Sequence, residues 1–100
     1  MVIIRSSSFL EELDVVLDFI ALDSLHNALQ FNKNLKIRIN ALVDFPYKFR
    51  QSIYFNDKNI RDLIFKGYTI PYFIDEKNDK LVVLGILKYK KIVKQSEYKR

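Results

Sequence analysis

The stretch NIRDLIFKGYTIPYFIDEKNDKLVVLGILK, residues 59–88, decides the fold. Residues 61–66 read as a strand, with Leu63 and Phe65 alternating against Asp62, Ile64 and Lys66. Gly67 relieves the turn that follows, because only glycine takes a positive φ without penalty. Residues 69–75 are rich in β-branched and aromatic side chains and read as a second strand. Pro71 inside it asks for an edge position, or for a place where no ladder donor is needed. Glu76, Lys77, Asn78 and Asp79 make a hairpin loop. Residues 81–87 are a nearly continuous apolar run, the mark of a strand buried on both faces.

Upstream the period changes from two to that of a helix. Val2, Ile3 and Ile4 form a short apolar run that suits a strand. Phe9, Leu10, Leu13, Val16, Leu17 and Ile20 then recur at spacings of three and four, an amphipathic helix with one apolar face. Ser8 and Glu11 have the spacing of a capping box. The pattern breaks at Asp23-Ser24, either of which can cap a second helix. Leu25, Ala28, Leu35, Ile39 and Leu42 continue it to about Val43, with Phe31 and Ile37 widening the face. Two helices joined so tightly pack antiparallel. Pro46 ends the second, since Phe45 before it is steered away from helical backbone. Residues 48–58 show no period and read as an irregular arm. Residues 89–100 either extend the last strand or turn helical. The order β-α-α-β-β-β predicts an α+β domain spanning residues 1–100, its helical hairpin packed on one face of a mainly antiparallel sheet.

Composition narrows the chemistry. The chain has 100 residues and no cysteine, which excludes disulfides and thiolate zinc sites. With a single histidine, no metal site or other cofactor is expected. No secretory leader or membrane-length apolar run is visible, so a cytoplasmic protein is expected. The net charge is +5 and lies unevenly. Residues 1–45 hold four bases and six acids, whereas residues 46–100 hold thirteen bases and six acids. A basic tail from about residue 89 carries Lys90, Lys91, Lys94, Lys99 and Arg100. Such asymmetry suits a polyanionic partner, either nucleic acid or an acidic protein segment. It equally suits a tail that only aids solubility.

Taken in order, these segments resemble the RelE/ParE superfamily, with the ParE-like branch favoured. The helical hairpin through Phe45-Pro46 resembles its two helices. Asn59-Ile60-Arg61-Asp62-Leu63 resembles its "R-x-L" strand, Tyr68-Thr69-Ile70-Pro71-Tyr72 its "Y-x-I-x-Y" strand, and residues 81–88 its "V-x-V-L-x-V" strand. The resemblance implies a growth-inhibiting toxin of a type II toxin–antitoxin system, bound in a hetero-oligomer by an antitoxin segment that folds on binding. It also implies one of two targets. ParE-like members poison DNA gyrase, and RelE-like members cleave messenger RNA at the ribosome. A third reading is a relic that only binds antitoxin.

A nuclease must activate a 2′-hydroxyl and stabilise the charge of a phosphorane. On the resemblance, Arg61 would hold the phosphate, with Lys88 and Tyr89 beside it. Lys48, Arg50, Lys66, Lys90 and Lys91 are candidates for contacts with nucleic acid or another target. Each has a plainer reading. Arg61 can pair with Asp62 or Asp75, and Tyr89 can sit as an amphipathic residue at the sheet edge. Tyr47, Tyr54, Tyr68 and Tyr72 interleave with bases, which suits stacking on RNA bases but equally suits a core. Tyr68 and Tyr72, four apart on one strand, should share a face. His26 is expected to face solvent or cap its helix. Phe73 stands where resembling nucleases place an arginine, so the same stretch that indicates the superfamily speaks against RelE-type cleavage.

Overall fold

The computed structural model describes residues 1–88. Strand β1 (Val2–Arg5) leads into helix α1 (Ser7–Asp23) and helix α2 (Leu25–Asn40), which ends in a 3₁₀ turn at Ala41–Val43. After an irregular segment come β2 (Ile60–Phe65), β3 (Tyr68–Asp75), β4 (Lys80–Val83) and β5 (Leu87–Lys88). The sheet order is β1-β4-β3-β2, with β5 also on β3. All pairings are antiparallel except β1 with β4. The expected α+β layering is what the chain adopts. One helical hairpin covers one sheet face, and the core between them joins Phe9, Leu13, Phe31, Leu35 and Ile39 to Leu63, Ile70, Tyr72, Leu81 and Val83.

Three local expectations need correction. Helix α1 is capped by Ser6, not Ser8: the Ser6 hydroxyl accepts from Phe9 N at 3.1 Å and donates to Leu84 O at 3.1 Å. Parallel pairing of β1 with β4 fixes where the chain leaves the sheet, so the helix starts as soon as the ladder ends. On α2, Leu25 does not continue the buried face and Ile37 does not widen it; both are exposed. The apolar run at residues 81–87 is not one strand but two, broken at Leu84, Gly85 and Ile86. A Cβ at Gly85 would lie 2.7 Å from Glu12 Oε1, and that oxygen accepts from Ile86 N at 3.0 Å. A carboxylate from α1 thus replaces the ladder partner lost at the break, as a buried amide requires.

Other expectations hold. Ser24 caps α2 by accepting from Asn27 N at 3.1 Å. Ser24→Ala should therefore cost about 1 kcal/mol, read as a small drop in the midpoint of urea unfolding. The β2–β3 turn has Lys66 at φ 47° and Gly67 at φ 84°, two positive φ values in a two-residue loop that matches strand twist. Pro71 is not on an edge, since β3 is internal to the sheet. Its nitrogen faces the β4–β5 break instead, where no ladder donor is needed; its carbonyl accepts from Leu84 N at 2.9 Å.

Candidate functional site

The segment between α2 and β2 is strapped to the edge of β2. Ser52 N donates to Ile60 O at 2.7 Å, Asp62 N to Arg50 O at 3.1 Å, and Gln51 bridges to Arg61. These bonds cap a strand edge that would otherwise offer unpaired main-chain groups. Asp62 reinforces them from beneath. Its side chain is fully buried, Oδ2 accepts from Ile53 N at 3.2 Å and lies 3.5 Å from Arg50 Nη2. The alternation of β2 placed Asp62 on an outward face; the strap turns that face inward. The alternation carries no sign of this, because the covering residues come from the stretch without a period.

On the opposite face Arg61 makes a second latch. It pairs with Tyr72 across β2 and β3. Its Nε donates to Lys58 O at 2.9 Å and Nη1 to Phe49 O at 3.1 Å, and its guanidinium lies 5.1 Å from the Tyr47 ring centroid. Tyr47 Oη donates to Asn59 Oδ1 at 3.2 Å, and Tyr72 Oη to Pro46 O at 2.6 Å. Neither of the carboxylates considered for Arg61, Asp62 or Asp75, forms an ion pair with it; Asp62 pairs with Arg50. Main-chain carbonyls and an aromatic face hold the arginine.

Burial is the main reason that the Tyr72 hydroxyl titrates well above the ordinary 10.0; Arg61 draws it back and Asp62 adds to the rise. A folded-state value raised above the unfolded one contributes stability that is complete below the unfolded value and is lost as pH climbs toward the folded one. Stability should therefore fall from about pH 10 upward, and Tyr72→Phe should flatten that fall. Urea titrations across the alkaline range give the slopes to compare.

The remaining candidates fall into two groups. Lys48 lies over the Phe49 ring at 5.5 Å, beside the Arg61 latch, and lines a cleft of about 320 Å³ with Arg38, Asp44, Phe45 and Phe49. Lys66 sits 5.7 Å from the Phe65 ring and Lys88 5.0 Å from the Tyr68 ring, at the other end of the sheet. Arg61 and Lys88 flank β3 on opposite sides, opposite Tyr72 and Tyr68 respectively. Four residues of strand separate them by about 13 Å, so the structure does not gather them into one site. Tyr89, Lys90 and Lys91 lie outside the described residues. Tyr68 and Tyr72 do share a face, and His26 is exposed. Among the described residues no group of three His, Cys, Asp or Glu is placed to hold a metal ion, and no helix is long and apolar enough to cross a membrane.

Comparison with known families matches residues 3–93 to the ParE toxin of type II toxin-antitoxin system, parDE. Among solved structures, a chain of the chromosomal ParDE TA system from P. aeruginosa is similar with a TM-score of 0.72, covering 90% of this chain and 97% of that one at 14% identity. At that identity the likeness speaks to the fold alone. No curated protein matches.

Proposed function

The chain belongs to the family of ParE toxins of type II toxin–antitoxin systems, and from that premise we propose that it arrests growth by binding a target such as DNA gyrase, not by cutting RNA. The observation that carries this reading is the state of Arg61. Two of its donors are engaged by the carbonyls of Lys58 and Phe49, and Tyr47 covers its face. A phosphate-binding fork needs those donors directed at the ligand. Phe73, in the position where resembling nucleases carry arginine, is part-buried between Ile60 and Val82 and brings no charge to a phosphorane. Lys88 stands too far along β3 to act with Arg61 on one phosphate.

Neutralisation follows from the open parts of the fold. Among the described residues β1 has a strand partner on one side only, and Val2 and Ile4 are exposed along it. A small cleft beside it is lined by Arg5, Leu10, Leu13, Asn32 and Lys36. An antitoxin segment that adds a strand to β1 and lays apolar side chains over this cleft would meet Arg5 and Lys36 with its acidic residues.

The test is expression of the chain alone and with its antitoxin. Growth should stop only in the first case, purified toxin should inhibit gyrase supercoiling, and primer extension should show no codon-aligned cuts in transcripts. Tyr89→Phe should leave toxicity unchanged. Codon-aligned cuts that disappear in Arg61→Ala would overturn the binding mechanism in favour of ribosome-dependent cleavage. Arrest with neither effect would point to another target.

A further inference from the structure

Exposed cations line one edge of the molecule, from the cleft beside α2 to the end of the β2–β3 hairpin. Lys48 and Arg38 line the same cleft of about 320 Å³, and Lys48 lies 5.5 Å from the Phe49 ring. Arg38 also reaches the Phe65 ring, 5.8 Å from its centroid, and Lys66 approaches that ring at 5.7 Å. Phe65, Tyr68 and Lys88 stand side by side across β2, β3 and β5 and so share a face, with Lys88 5.0 Å from the Tyr68 ring. The buried Phe31 ring meets Phe65 and Tyr68 edge-on, so these cations rest on a floor fixed by the core.

The edge carries almost no negative charge. Helix α2 has no acidic residue, and neither do residues 63–74. Asp44 shares the cleft with Arg38 and Lys48, but among the described residues none of the four cations forms an ion pair. A guanidinium stacked on a ring keeps its in-plane N–H groups for an anion. Like charges gathered on one edge repel one another, and a polyanion relieves that repulsion.

The rings decide between kinds of polyanion. Phe65 is buried, Phe49 and Tyr68 are half-buried, and each has a cation against it. They leave little ring face on which an unpaired base could stack, the contact that single strands use. A duplex asks only for phosphate contacts, which position without reading sequence, and it carries one charge per about 1.7 Å of helix axis. From Phe65 to Lys88 the sheet spans two strand spacings, about 10 Å, enough to meet several of those charges. An extended acidic peptide turns one side chain to a face per about 7 Å, a sparser match.

We propose that Lys48, Arg38, Lys66 and Lys88 grip the phosphate backbone of duplex DNA without reading its bases. This is a second binding surface of the toxin, apart from the β1 edge offered to the antitoxin, and it does not depend on gyrase being the target.

The test is fluorescence anisotropy of a labelled duplex of about 20 base pairs titrated with the full chain. The logarithm of the affinity should fall against the logarithm of salt concentration with a slope of about −3 or steeper, as for three or more phosphates neutralised. Arg38→Gln/Lys66→Asn should weaken binding at least tenfold, asparagine being chosen because Lys66 has φ 47°. Lys48→Gln/Lys88→Gln, at the two ends of the edge, should do the same and is an independent check should the first pair misfold. Lys33→Gln/Lys77→Gln removes as much charge elsewhere, Lys33 lying about 140° round α2 from Arg38, and should weaken binding less than threefold. All three pairs keep the bases of residues 89–100, so the comparison isolates the edge. Equal losses in edge and control pairs would mean attraction by net charge alone and would overturn the proposal. So would absence of duplex binding at low salt. Tighter binding of a single strand of equal length, or of a labelled polyglutamate peptide, would give the edge to another partner and overturn it as well.

Discussion

Phe31→Ala is expected to lose about 3–5 kcal/mol of stability, the range for emptying a buried aromatic site. For a domain of this size that lowers Tm by roughly 15–30 °C. The position explains the size of the effect. Phe31 is 5% exposed and stands on the β2–β3 hairpin from α2. Its ring meets Phe65 edge-on at 5.1 Å and Tyr68 edge-on at 5.6 Å. Such pairs contribute about 0.5–1.5 kcal/mol each beyond the area they bury. Deleting the ring removes both and leaves a void between a rigid helix and a rigid hairpin, which relax poorly. Phe31→Leu keeps most of the volume and loses only the ring geometry, so it should cost about 1–2 kcal/mol. Circular dichroism melts of the two variants separate packing from ring pairing. Equal melting points would show that volume contributes little here.

The fold was legible because its signals are local and repeated. Leu63 and Phe65, then Ile70, Tyr72 and Ile74, alternate through β2 and β3, and all five are buried as the period of two requires. Ser24 starts the second helix by backbone chemistry that needs no tertiary partner, whereas α2 stops at Asn40 and its 3₁₀ turn at Val43, ahead of Pro46. What sequence reading missed depends on contacts between distant residues. The 81–87 run looked continuous because apolar content cannot show that Glu12, 74 residues away, supplies an acceptor to Ile86. Asp62 looked solvent-facing because its cover comes from an aperiodic segment. Resemblance points to Arg61, yet its partners are the carbonyls of Lys58 and Phe49, which no side-chain pattern encodes. The candidate site was thus visible as a set of bases, and its actual wiring was not.

Asp62→Ala should be the second large effect, and it acts through the strap. The wild-type carboxylate is buried and holds Ile53 N and Arg50. Truncation leaves Ile53 N without that acceptor and deprives Arg50 of its carboxylate. Breaking a fully buried pair costs about 3–5 kcal/mol. The Arg50 side chain is 38% exposed and can turn to water, so screening reduces the expected loss to about 2–4 kcal/mol. Asp62→Asn keeps an oxygen for Ile53 N and removes only the charge, so it should retain about half of that stability. The strap residues should become protease-sensitive in Asp62→Ala before the whole domain unfolds, because local opening needs less free energy than global unfolding. Limited proteolysis that cuts within residues 50–58 of Asp62→Ala, and not of Asp62→Asn, would establish the strap as the element Asp62 holds. Cuts spread evenly along both variants would instead make Asp62 an ordinary core residue. The Arg61 latch grips Phe49 and Lys58 on either side of the strap. Loosening the strap should therefore also release Arg61 from its carbonyls. If growth arrest survives in Asp62→Ala at a temperature where the variant stays folded, the toxin's action does not depend on that latch geometry, as expected of a binder and not of a nuclease relying on a fixed arginine.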